Sequence, residues 1–295
     1  MSVLLSDKFR KWQEECDERF RRLKEYEEEI NRLVIDAYGM TGEISPEVPD
    51  SEVTVRRADV RREVRSFLSY IVGCCAGRFS PDEEGLVYAG GKWQPQRYRS
   101  FMPAEDNVIM LSEADDDIIV RTKEFLRRFY GQDVLGENLS FIAENLGGDG
   151  RPEDVIRKYF LSDFFADHCR IYHKRPIYWQ FSSGRRVAFR CLVYMHRMTP
   201  ATLGDMLALR VQPEIKKLRE QEKQLEKLAC ESSGDIRRAY RADIKKLAAD
   251  ITELTDYEKL LAETAAKNIT IDLDNGVREN YPLFGRLVSP VRGGL

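Results

Sequence analysis

Three histidines, His168, His173 and His196, and two nearby acids, Asp163 and Asp167, are the side chains here best suited to moving protons. A His–Asp pair could act as general acid and base, but nearness in sequence is not geometry, and histidines beside arginines also serve as plain hydrogen-bond donors. His168 and Cys169 could be two metal ligands. A zinc site needs four, and no second pair stands close in sequence. The six cysteines show no CxxC or Cys/His spacing, so they read as reduced and mostly structural.

The same stretch suggests a different chemistry. Between His168 and Pro200 lie seven basic residues and no Asp or Glu, although the whole chain has a net charge of -3. Aromatic residues are interleaved with the cations. Cations neutralise phosphates and release counterions, and flat side chains pack on sugars or bases. Lys174, Arg175, Arg185, Arg186 and Arg190 are the candidate phosphate contacts, with Tyr178 and Trp179 as stacking groups. A second basic and aromatic cluster adds Lys92, Arg97 and Arg99. The competing reading is that the aromatics are core and the arginines an ordinary surface. Solvated surfaces normally mix charge signs, which weakens that reading for an acid-free run.

The elements that must position these groups can be read from periodicity. Phe9, Trp12, Cys16, Phe20, Leu23, Ile30, Leu33, Val34 and Ala37 mark a long amphipathic helix, with Ser6–Asp7 as its cap and Gly39 at its end. A linker with two prolines follows, making 1–50 the first segment. The region 51–200 reads as an α+β recognition region. It has a helix over 58–77, a short strand-like LVYA, a strand at 108–111, and helices near 118–130, 136–145 and 152–172. The acids at 113–117 suit the start of the 118–130 helix, where the macrodipole favours negative charge. IYWQF, SSG and RRVAFRCLVYMHR read as a strand hairpin, although periodicity alone would also allow a helix for the second segment. From 201 to 268 the composition turns to Lys, Glu, Leu and Ala with two apolar stripes, which predicts an antiparallel, coiled-coil-like helical hairpin. A strand and turn followed by a tail fill 269–295. The fold class is α+β, predominantly helical.

A chain of 295 residues can bury a full core. No apolar run approaches the roughly 20 residues that span a bilayer, and the first residues lack a signal peptide's apolar region. A cytoplasmic location with no membrane partner is expected. The glycine-rich NLGGDGRP lacks the preceding strand and the Gly-Lys-Ser/Thr ending of a phosphate loop.

KRPIYWQFSSG followed by AFRCLVYMHR resembles the C-terminal region of the PglX family, large adenine-specific DNA methyltransferases of BREX phage-defence systems. EEEINRLVIDAYGM, LSYIVGCCAGRFSPDEEGLVYAGG, DVIRKYFLSDFFADHCRIYHKRPIYW and IDLDNGVRENYPLFG extend the resemblance along nearly the whole chain. Such enzymes carry a glycine-rich S-adenosylmethionine loop and an Asn-Pro-Pro-Tyr-like tetrapeptide in their N-terminal portion. Neither occurs here, and no two prolines are adjacent. The resemblance therefore implies the DNA-reading part of an adenine-specific (N6) methyltransferase, inactive alone. Double-stranded DNA and the methyltransferase portion that holds S-adenosylmethionine would be its partners. The alternative is a helical scaffold that assembles defence proteins without touching DNA.

Overall fold

Asn138, not Ser6 or Asp7, starts the first helix. In the computed structural model, which describes residues 2–291 and 293–294, helix α1 spans Leu5–Ala37, so Ser6 and Asp7 already lie inside it. Asn138 Oδ1 accepts the Leu5 N–H at 2.7 Å, and its Nδ2 donates to Val3 O at 3.1 Å. An amide from a distant helix thus meets the orphan groups that a local cap would meet.

The chain divides into two compact units. One takes 1–69 with 123–155, the other 70–122 with 156–295.

The first unit holds α1, the start of α2 (Val60–Ala76), the end of α3 (Ile118–Tyr130) and α4 (Leu135–Leu146). Phe9 of α1 meets Phe141 of α4 at 6.5 Å. Phe67 stands edge-on to both Phe125 and Tyr130. After Gly39, whose φ of +66° turns the chain, the proline-rich linker runs back along α1. Glu28 accepts the Val48 N–H, Asn31 donates to Pro46 O, and Arg57 pairs with Asp17 at 2.8 Å.

The second unit is built on a small antiparallel sheet, β1 (Val108–Met110), β2 (Tyr178–Ser182) and β3 (Arg190–Tyr194), in the order β1-β3-β2. Val193 faces Val108 on one side and Trp179 on the other. The expected hairpin exists, but β1 makes β3 a central strand. Helices α5 (Pro152–Ser162) and α6 (Phe164–Ile171) replace the single helix expected over 152–172, breaking at Asp163. Helix α7 (Thr202–Met206) leads through a π-helical turn, Leu207–Val211, into α8 (Gln212–Glu231) and α9 (Gly234–Ala265). Pro213 has no N–H to return to Leu209 O, and the chain widens just before it. The helical hairpin expected from 201 to 268 is thus present.

Trp179, Phe181, Phe189, Cys191 and Val193 pack in one core with Leu254, Tyr257 and Leu261 of α9 and with Tyr281, Phe284 and Leu287. Two expectations fail in this unit. LVYA forms no strand; Val87 and Tyr88 instead donate their N–H groups to Arg78 O within a loop. The segment after 269 forms a 3-10 turn, the short helix α10 (Gly276–Asn280) and a 3-10 stretch to Leu287, with only a single bridge from Val288 to Phe181. Asn280 explains this, since it donates to Asp272 O and Gly276 O and accepts the Asp272 N–H, closing a tight local loop. Of the expected tail, 292 and 295 lie outside the described residues. The fold is α+β and predominantly helical, as expected. Among the described residues no helix is long and apolar enough to cross a membrane.

Candidate nucleic-acid interface

Alternating side chains of a strand point to opposite faces, so β2 sends Tyr178 one way and Trp179 the other. Both faces are covered. Trp179 is wholly buried, donates Nε1–H to Pro176 O at 2.9 Å, and stands edge-on to Tyr281 and Phe284. Tyr178 is equally buried and stacks on His168 at 4.8 Å between ring centres. Neither can stack on a base or sugar, which corrects that expectation. β2 reads as an open hairpin strand only while α6 and the segment 281–287 are out of view.

His168 is no proton shuttle. Its Nε2 accepts the backbone N–H groups of Ile177 and Tyr178 at 3.0 and 3.1 Å. Burial, aided by the charge of Arg78, pushes its pKa down to about 3. It is a neutral bracket holding β2 against α6.

Several candidate cations are also tied to other parts of the chain. Arg186 pairs with Asp250 at 2.5 Å and donates to Lys246 O, while its backbone N–H reaches Glu253. It ties the β2–β3 turn to α9. A side chain at Gly184, whose φ is +150°, would place Cβ 2.7 Å from a Glu253 oxygen, so Glu253, which holds the turn, would have to shift. Arg190 donates to Leu161 O and weakly to Ser182 Oγ, and burial lowers its pKa. Arg97 is pinned by Glu83, whose hydrogen bond raises the guanidinium's pKa, and donates to Val87 O. These three arginines do structural work that a polyanion would have to displace.

Lys92, Arg99, Lys174, Arg175 and Arg185 remain exposed. Arg99 sits on a firmly held loop. Burial alone would raise the Asp82 carboxyl, but the N–H groups of Ser100 and Arg99 hold it down to about 2. Arg185 caps the β2–β3 turn.

Lys174 and Arg175 follow a backbone reversal. His173 and Lys174 adopt φ of +49° and +64°, a pair of left-handed residues neither of which is glycine. Such conformations cost of order 1 kcal/mol each. They are fixed by Lys174 N–H donating to Cys169 O at 2.6 Å and Arg175 N–H to Tyr172 O at 2.9 Å. The reversal ends α6 and opens a concavity of about 420 Å3 lined by Tyr172, His173, Lys174, Arg175 and Arg278. A neighbouring groove of about 780 Å3 shares His173 and Lys174 and adds Arg170, Gln180, Arg190 and Ser289. Among the described residues no carboxylate lines either one. Lys174 Nζ donates to a carbonyl, Gly293 O, at 2.8 Å, and among the described residues it has no ion pair. Arg170, by contrast, pairs with Asp167.

Arg278 was not foreseen from the sequence. It stands on α10, presented by the Asn280-locked loop, and nothing in NGVREN marks it as a partner of a turn a hundred residues earlier. A third concavity, of about 590 Å3, has the opposite character, with Glu105, Asp106, Asp116 and Asp205 around Arg210. Arg210 pairs with Asp106 and Asp116. It does not suit a polyanion.

Among the described residues no cluster of three or more His, Cys, Asp or Glu could hold a metal ion. Gly147, Gly148 and Gly150 lie between α4 and α5, so they do not form the strand–loop–helix cradle of a nucleoside cofactor.

No protein-family model matches the chain. It is 40% identical over 290 residues to "Adenine-specific methyltransferase PglX" of Lacticaseibacillus casei (strain Zhang), covering 92% of this chain and 23% of that protein. It is 37% identical over 281 residues to "Adenine-specific methyltransferase BrxX" of Escherichia coli O9:H4 (strain HS), covering 89% of this chain and 23% of the relative. The chain thus spans about a quarter of the length of the relatives it matches, and the matched part is their C-terminal part. The resemblance read from the sequence holds.

Proposed function

We propose that this chain, as kin of the C-terminal part of PglX-type adenine-specific methyltransferases, is the DNA-binding, target-recognition part of such an enzyme in a phage-defence system. S-adenosylmethionine and the methyl-transfer groups belong to another portion. The observation that carries this reading is the basic concavity at the end of α6, which Arg175, Lys174 and Arg278 line with no carboxylate among the described residues. Cations without carboxylate partners are set to neutralise phosphates, and strained backbone at their base fits a pre-formed site. Contacts to phosphate fix register and orientation without reading sequence. Lys92, Arg99 and Arg185 are further exposed candidates. Recognition of the adenine, which must leave the stack to be methylated, falls to the catalytic portion.

Fluorescence anisotropy with a short labelled duplex tests the reading. Arg175→Ala combined with Arg278→Ala is expected to weaken binding about equally for unrelated duplex sequences, as lost phosphate contacts do. Absence of duplex binding by the unaltered chain at low salt would overturn it. The scaffold reading is favoured by one observation, an exposed apolar face on α1, which is compatible with DNA binding elsewhere.

A further inference from the structure

The first helix carries a face that the described residues leave open. At 100° per residue, Tyr26, Ile30, Leu33, Val34 and Ala37 fall on one side of α1. Asp17, Lys24, Glu28 and Asn31, which hold the returning linker, fall on the other. Ile30 is 59% exposed and Leu33 64%. Helix α4 is 12 residues long, about 18 Å, against about 50 Å for α1, so it can cover only one end. The aromatic contact at Phe9 places that end at the start of α1.

Charge says what could cover the rest. Glu18, Glu25, Glu29 and Asp36, with Arg22 and Arg32 among them, form one exposed and net acidic flank of the open face. Between Lys24 and Val53 the chain has nine carboxylates and two cations. Nucleic acid and anionic lipid are repelled by such a flank. A second copy of the face would bring two acidic flanks together, and like charges in juxtaposition work against that pairing.

We propose that this face seats a protein surface with an apolar centre and a basic rim, in the helix-in-groove manner, and that its occupant is the part of the methyltransferase this chain does not match. The identity of the occupant rests on the kinship reading; the chemistry of the face does not. Each relative has most of its length outside the matched 23%, enough to supply such a surface.

Photo-crosslinking in the producing cell tests this, with benzoylphenylalanine in place of Leu33 and, as control, of Arg21 on another side of α1. Mass spectrometry should find the Leu33-site adduct on a methyltransferase polypeptide, separate or continuous with this chain, at a peptide bearing Lys or Arg. Ile30→Glu should remove the adduct while leaving thermal melting and duplex affinity unchanged. An adduct to a second copy of this chain or to an unrelated protein, or no adduct at all, overturns the proposal. Duplex binding is read separately, so loss of the DNA reading and loss of the docking reading give different results.

Discussion

Arg175 and Arg186 are the same residue type in the same acid-free stretch, yet they do different work. Arg175 opens into the concavity, while Arg186 is held by Asp250 and its turn by Glu253. Arg186→Ala is therefore expected to cost about 1–2 kcal/mol of stability, a charged hydrogen-bond loss discounted for partial exposure. Duplex affinity should scarcely change. Chemical denaturation alongside anisotropy checks both halves. His168 gives a pH prediction. Its pKa is pushed down to about 3, below the 6.5 of an unperturbed histidine, so between these values the unfolded chain binds the extra proton. Its contribution to stability is present above about pH 6.5 and is lost as pH falls from there toward 3. His168→Gln should give a shallower fall of melting temperature over that window; equal slopes would refute the account of the bracket. Residue chemistry was legible in the sequence here. The partners were not, because Asp250 and Glu253 arrive from α9, more than sixty positions later.

The elements whose signal is local were the ones the sequence disclosed. The apolar stripes of 201–268 specified a helical hairpin, and α8 and α9 form it. The alternation in 177–194 suggested paired strands without excluding a helix in its second half, and β2 and β3 are paired. What escaped was set by distant groups. His168 of α6 covers one face of β2 and Tyr281 and Phe284 cover the other, which buries Tyr178 and Trp179 on opposite faces. Asn280 folds 272–280 into a loop where a strand was expected. Asn138, far from α1 in sequence, supplies its cap. Asn138→Ala should leave the Leu5 N–H and Val3 C=O without their partner at a cost of about 2 kcal/mol, and amide exchange should quicken at the start of α1. Unchanged exchange there would mean that α1 holds its end by packing alone.

Taken as a whole, the molecule carries a net charge of -3 and yet gathers an acid-free basic concavity from residues 172–175 and Arg278. Overall charge gives no attraction to DNA, so binding must come from a local site. Few phosphates should be engaged, and affinity should depend on salt in proportion to that small number. The most direct test is the slope of log Kobs against log salt concentration for duplex binding, compared between the unaltered chain and Arg175→Ala/Arg278→Ala. The account predicts a slope shallower by about 2 in the double variant, close to one unit for each phosphate contact removed. An unchanged slope, with affinity also unchanged, would contradict the claim that this concavity grips the DNA backbone.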